Sequence, residues 1–241
     1  MEPSVGYREV APPAALGASV ACLWVRVAGG REVVRVVPDA CADVIWTRGR
    51  GVMVAGPDTG SQVTELAAGD VLVGMRFRPG AGGGGLGVPL DELRDLRVEG
   101  RDVDRALDLD GGLAPADVVE RLVALAAERP GDVLVQRVAA GLERGERVDV
   151  GLSARQLRRR FHAAVGYGPK TLERVLRFRR AVDAIDGGRT DLAGIALDAG
   201  YADQAHLTRE CTRLAGLPPA RLMRDRGARP RDAGTAARPT R

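Results

Sequence analysis

The chain has 241 residues, 36 Lys plus Arg against 32 Asp plus Glu, a net charge of +4 and 45% hydrophobic residues. Its length allows two small domains with cores of their own. Three cysteines at no metal-ligand or paired spacing, no apolar run near about 18 residues and no basic-then-apolar opening argue against a disulfide framework, a thiolate metal site, a membrane span and secretion, so a cytoplasmic location is expected.

The charge is unevenly placed. Residues 1–100 carry 10 Arg against 12 acids, residues 101–140 carry 5 against 8, and residues 141–241 carry 21 Arg plus Lys against 12. Lys170 is the only lysine, so coding bias accounts for the choice of arginine but not for its concentration near the C-terminus. Such a concentration of cation is the footprint expected of a phosphate-binding surface.

In chain order, residues 1–100 read as β-rich. Short β-branched runs at 19–27, 32–37, 42–46, 52–55, 62–66 and 70–77 are separated by Gly, Pro and Asp turn signals, and predict a small barrel or sandwich. Val71, Val73, Met75 and Phe77 alternate onto one face, and Trp24 and Trp46 join them as core or pocket residues. Pro79 to Gly85 reads as a loop, since it lacks the lysine and the strand–turn–helix frame of a phosphate-binding turn. Leu90, Leu93 and Leu96, at steps of three, predict a helical turn over 89–97. Pro115 opens a helix carrying Val118, Leu122 and Ala126, broken at Pro130-Gly131, and a second helix follows over 132–142. Residues 101–142 are therefore expected to be a helical linker.

From Gly151 the chain reads as helical and basic. Ser153 stands at an N-cap, Leu157 and Phe161 point inward, and Arg155, Arg158 and Arg159 share an outward face. Pro169 opens a long helix, 169–186, with Leu172, Val175, Leu176, Val182 and Ile185 buried. Thr190 is expected to cap the next helix, in which Leu192, Ile195, Ala196 and Ala199 form one stripe. Gly200 stops it, and a further helix from near Asp203 turns Leu207, Cys211 and Leu214 inward. Gln204, His206, Thr208, Arg209 and Arg213 are left on outward or flanking surfaces. Helix, glycine turn and a second helix with a polar, basic outer face make a helix-turn-helix pattern, whose second helix can lie in a major groove. Residues 227–241, rich in Pro, Gly, Ala and Arg, are expected to be a disordered tail.

The order Ser-x-x-x-Leu-x-Arg-x-Phe, Gly-x-x-Pro, a long helix, Ile-Ala-x-x-x-Gly-Tyr-x-x-x-x-x-Leu-x-Arg and Gly-Leu-x-Pro resembles the AraC/XylS family of bacterial transcription regulators. The resemblance covers residues 143–224. It implies an α+β chain: an N-terminal small β-rich domain over 1–100 for effector binding or dimerisation, then the linker, then an all-α DNA-binding domain over 143–226 with two helix-turn-helix units. The segments VVPDACADVIW, VAGPDT and GMRFRPGAGGGGLGVPLDEL resemble the sensor domain of one branch of these regulators. By resemblance the base-facing residues are Arg155, Arg158 and Arg159 in the first unit and Gln204, His206 and Arg209 in the second. Arg213, with Arg160, Arg177, Arg179 and Arg180, would meet phosphate or solvent. The implied partners are double-stranded DNA at a promoter, a small-molecule effector, RNA polymerase and a second copy as a homodimer, with no membrane, metal or cofactor.

Three departures stand out. The family places a helix before Gly151, with a small residue where this chain has Arg147, and GLERGERVDVGL makes a poor helix. The first unit is then truncated, or completed by the 132–142 helix in altered geometry. Ala202 replaces the usual Ser or Thr cap of the second recognition helix unless Asp203 takes over. Cys211 stands where a large aromatic normally fills the core. An enzyme is not expected: both histidines, His162 and His206, lie outside the β-rich half, and no nucleophile elbow appears. The competing reading is a ligand- or partner-binding modulator whose degenerate first unit does not read DNA alone, and the 143–150 segment separates the two.

Overall fold

The computed structural model describes residues 4–227. Gly227 belongs to the helix Pro219–Gly227, and the rest of the expected 227–241 tail lies outside the described residues. The N-terminal half holds β1 (Gly6–Val10), β2 (Val20–Val27), β3 (Glu32–Val36), β4 (Ala42–Thr47), β5 (Gly51–Ala55), β6 (Gln62–Leu66), β7 (Val71–Phe77), α1 (Gly82–Leu86), β8 (Arg97–Glu99) and α2 (Gly100–Val103). One sheet runs β1-β2-β7-β4-β5-β8, and β3 with β6 makes a separate two-stranded ribbon. All pairings are antiparallel.

Strand alternation builds the first core. Val71, Val73, Met75 and Phe77 of central β7 are 0–4% exposed, and the last three share a core with Val44 and Trp46 of β4 and Val52 and Val54 of β5. Trp46 is fully buried, its indole N–H donating to the Asp110 carbonyl at 2.9 Å. The aromatic and methionine side chains therefore fill the interior of this domain. On the opposite face of β7, Gly74 leaves room for the Trp24 indole, which a Cβ would approach to 2.0 Å.

α3 (Pro115–Glu128) lays Val118, Leu122, Leu125 and Ala126 into this same core. α4 (Val133–Arg144) instead packs with α5 (Ala154–Val165) and α6 (Pro169–Asp186) around Phe161, Leu172, Val175 and Leu176. A third core joins the rest of α6, through Phe178, Val182 and Ile185, to α7 (Leu192–Ala199), α8 (Gln204–Ala215) and α9 (Pro219–Gly227).

Three local expectations are corrected. Residues 82–85, expected within the Pro79–Gly85 loop, form the short α1 together with Leu86, and their glycines are demanded by contact. A Cβ at Gly85 would lie 2.4 Å from the Phe77 ring, and one at Gly83 2.3 Å from the Ala163 carbonyl oxygen. Residues 89–97 form turns and then a strand rather than a helix. Leu90 and Leu93 are buried as expected, but Leu96 is 47% exposed, because Gly56 N–H donates to its carbonyl and Asp95 N–H donates to Pro57, which draws the segment onto the sheet edge. Asp191, not Thr190, caps α7, its carboxylate accepting from the N–H groups of Ala193 and Gly194 at 3.2 and 3.1 Å.

The three cysteines are free and buried. Burial pushes the Cys22 and Cys211 thiols up to about 12 and raises Cys41 well above the usual thiol range. The folded chain is therefore expected to resist alkylation by iodoacetamide at pH 8, and to take up three equivalents once unfolded in urea. Rapid labelling of any native thiol would contradict this burial.

Candidate nucleic-acid interface

The second unit is built from α7, a glycine turn and α8. Gly200, at φ +90°, takes the left-handed conformation that reverses the chain after α7. Tyr201 follows it into the core, with Arg177 over its ring at 5.6 Å and the His206 ring edge-on at 5.1 Å. Asp203 takes over as N-cap of α8, accepting from the His206 N–H at 2.6 Å. Asp203→Ala is expected to lower stability by about 1 kcal/mol, read by urea unfolding, with Asp203→Ser holding most of it.

Leu207, Cys211, Leu214 and Ala215 pin α8 to the core at 0–2% exposure. Cys211 occupies the expected aromatic position as a small apolar residue, in a core whose buried aromatics are Phe178 and Tyr201. The outer face carries Gln204, Arg209, Thr212 and Arg213, all exposed. His206 is placed differently from this set, half-buried against Tyr201, so its ring orders the start of the helix more than it projects from it.

The corresponding helix of the first unit, α5, starts with a reciprocal cap. The Ser153 hydroxyl accepts from Gln156 N–H, and the Gln156 side-chain oxygen accepts from Ser153 N–H at 3.0 Å. Arg155, Arg158 and Arg159 are exposed on one face, Arg158 and Arg159 lying three and four positions after Arg155. Two arginines expected to be available are engaged within the chain. Arg160 makes a two-pronged pair with the Asp132 carboxylate at 2.7 and 2.9 Å. Arg179 faces Glu143 and Asp183 and donates to the Asp39 carbonyl at 3.5 Å. Arg180 is exposed.

The segment before α5 is the chief departure. α4 ends at Gly145, and no helix forms before Ala154. Residues 147–150 alternate instead: Arg147 and Asp149 face water, while Val148 and Val150 pack against the Phe161 core. Val148 sits on Gly141 of α4 so closely that a Cβ there would lie 2.4 Å from its methyl. A non-helical strap thus takes the place of a helix, and α4 packs in the same core as α5 beside it. β-branched residues at period two favour this outcome.

Residues missed from the sequence lie where the two halves meet. Leu90 N–H donates to the Ala163 carbonyl at 2.8 Å, near the end of α5. Ser61 and Arg35 donate to the Ala215 carbonyl, at the end of α8, at 2.9 and 3.3 Å. Strand propensity gives no signal for such contacts, because they join residues 73 to 180 positions apart. A groove of about 580 Å³ also lies between the halves, lined by Gly83, Gly87, Pro89, Arg159, Ala163 and Ala164 among others.

Residues 148–225 match the family described as helix-turn-helix domain, and residues 8–99 match the family described as domain of unknown function, DUF6597. No curated protein matches the sequence. Among solved structures, an apo form of ToxT from Vibrio cholerae strain SCE256 is similar over 92% of this chain and 98% of its own, at 10% identity and a TM-score of 0.40. The unsaturated fatty acid-bound form from the same strain matches over 80% and 94%, at 10% identity and 0.39. ToxT from Vibrio cholerae O395 matches over 86% and 97%, at 9% identity and 0.41. With the family match spanning the strap and α5 through α9, residues 148–225 are a helix-turn-helix domain of the AraC type, carried here behind a β-rich N-terminal domain.

Proposed function

We propose that the chain is a sequence-specific DNA-binding transcription regulator in which α8 reads base edges and α5 adds a second, largely electrostatic contact. The supporting observation is the outer face of α8. Gln204, Arg209 and Arg213 stand exposed on a helix that is capped by Asp203 and pinned by Leu207, Cys211 and Leu214. Arginine can donate two bonds to guanine O6 and N7, and glutamine can bond adenine N6 and N7. Arg213, in the last turn, is suited to phosphate. On α5, Arg155, Arg158 and Arg159 take the same two roles, with base contact expected from the pair nearest the N-terminus.

A small-molecule effector would lie in the groove between α1 and α5, because the interior of the sheet domain is filled by Trp46, Met75 and Phe77. Bound there, it would touch Arg159 and so bias the arrangement of the two halves. The domain division that fits these roles places residues through α3 with the sheet domain and α4 onward with the DNA-binding domain.

One observation favours the second reading, a partner-binding modulator. The 145–153 segment is not helical, so the first unit lacks the usual buttress of its recognition helix. Arg209→Ala separates the readings. It is expected to weaken binding to a selected duplex by roughly 1–3 kcal/mol and to relax preference at one base pair, with little change on random DNA. Equal losses on selected and random duplex would remove Arg209 from base reading and favour the modulator.

A further inference from the structure

Both DNA-facing helices end against the N-terminal domain. A helix leaves its last carbonyls without intrahelical donors, and these usually go to water or to a cap. Here the donors come from the other half of the chain. At the end of α5, the Ala163 carbonyl accepts from the Leu90 backbone N–H at 2.8 Å, and the Gly166 carbonyl accepts from Arg94 at 3.5 Å. The approach is close enough that a Cβ at Gly166 would lie 2.4 Å from Pro57, and Gly166 is at φ +88°.

At the end of α8, the Ala215 carbonyl accepts from the Ser61 hydroxyl at 2.9 Å and from Arg35 at 3.3 Å. Arg35 also donates to Ser61 and faces Asp225 of α9 at 3.6 Å, and Val37 packs against the same core. A cation at a helix C-terminus is favoured by the helix dipole as well as by the bond. Between the two ends, Arg179 of α6 reaches the Asp39 carbonyl. The contacts therefore meet α5, α6 and α8, and they leave Arg155, Arg158, Gln204 and Arg209 on the exposed surface.

We infer that the N-terminal domain is a splint for DNA reading: Arg35 of β3 and Ser61, the residue before β6, are positioning residues that fix α8 relative to α5 and so set the spacing of the two sequence elements the chain can read. This rests on the DNA-reading proposal above. The physical reason is the first unit's missing helix. With a strap in its place, α4 and α6 alone constrain α5 less, and the ribbon and the Leu90 turn supply a second anchorage. Holding both helices in place before DNA arrives removes an ordering cost from binding.

The test uses the full chain and two readouts. Nitroxide labels at Ala154→Cys and Thr212→Cys, both exposed, report the α5–α8 distance by pulsed electron resonance without DNA; the native thiols are buried and stay unlabelled. The parent is expected to show one narrow distance distribution. In the Arg35→Ala, Ser61→Ala double variant the distribution should broaden, and Ser61→Thr, which keeps the hydroxyl, should leave it narrow. An equally narrow distribution in the double variant overturns the inference.

The second readout inserts one to five base pairs between the two halves of a selected duplex. The parent should lose about ten-fold or more in affinity off its preferred spacing, while the double variant should discriminate among spacings several-fold less. If the double variant binds the preferred duplex more tightly than the parent, the domain is a brake and the splint fails. If the parent selects no duplex, the DNA-reading proposal fails, while the distance distribution still decides the splint.

Discussion

Replacing Arg76 with methionine is expected to lower the unfolding free energy by about 3–5 kcal/mol, measured by urea denaturation at neutral pH. Arg76 projects from β7, where its Nε lies 3.2 and 3.3 Å from the Asp43 carboxylate oxygens and 3.4 Å from Asp39, and Nη1 lies 3.8 Å from Glu9. Asp43 also accepts the Trp24 indole N–H at 3.0 Å. Three carboxylates thus gather around one guanidinium, and methionine keeps its packing while leaving them unpaired. Asp43→Asn in the same background should recover part of the loss.

The pH dependence follows from burial. Burial pushes the Asp43 carboxyl above its ordinary range, while Arg76 and the Trp24 hydrogen bond pull it back. Without Arg76 the shift upward grows. A carboxyl raised in the folded state favours folding below its unfolded value and loses that contribution as pH rises through the folded value. The deficit of Arg76→Met is therefore expected to be largest at neutral pH and to shrink on acidification. A deficit that is independent of pH would mean that lost packing, not the stranded carboxylates, sets its size.

Phe178→Ala is expected to cost about 3–5 kcal/mol and to do so locally. Phe178 is fully buried on α6 and ties that helix to α7, α8 and α9. Its core holds small residues, Ala181, Ala196, Ala199, Cys211 and Ala215, beside larger ones such as Ile195 and Leu207 that are already packed, so the surroundings collapse only partly into the space it leaves. Hydrogen exchange should accelerate across α7–α9 and leave β2, β4 and β7 unchanged, and binding to a selected duplex should fall with it. Acceleration spread evenly over both halves would show that the molecule unfolds as one unit, contrary to the three separate cores.

Much of this was legible because local chemistry and tertiary context agree. The predicted strand runs fall on β2 through β7, since β-branched alternation and turn residues point to the same pleated surface. The long helix opens at Pro169 as read, and Asp203 caps α8 where Ala202 cannot. The misses have physical causes. Four glycines in α1 signal close approach to Phe77 and to Ala163, a reason that propensity cannot express. β1 and β8 are edge strands whose formation depends on partners far along the chain.

The candidate site shows the same division. Outward positions on α5 and α8 follow from helical period alone, and Arg155, Arg158, Arg159, Gln204, Arg209 and Arg213 are all exposed. Period cannot tell which cations are already engaged, and Arg160 and Arg179 are bound by Asp132 and Glu143 from other helices. His206 was expected among the outward residues, yet Tyr201, placed by the Gly200 turn, draws it toward the core. The strap before α5 was visible as a poor helix. That its Val148 would sit against Gly141 was not.

The most direct test of the central claim, that this chain reads a DNA sequence, is selection of duplexes by the full chain from a random pool. The winner is then titrated against scrambled DNA at two salt concentrations. The account predicts a recurring sequence bound about 10³-fold or more tightly than scramble, with affinity falling steeply in salt as Arg–phosphate contacts release counterions. Weak binding that follows salt alone and shows no preference among sequences would contradict it.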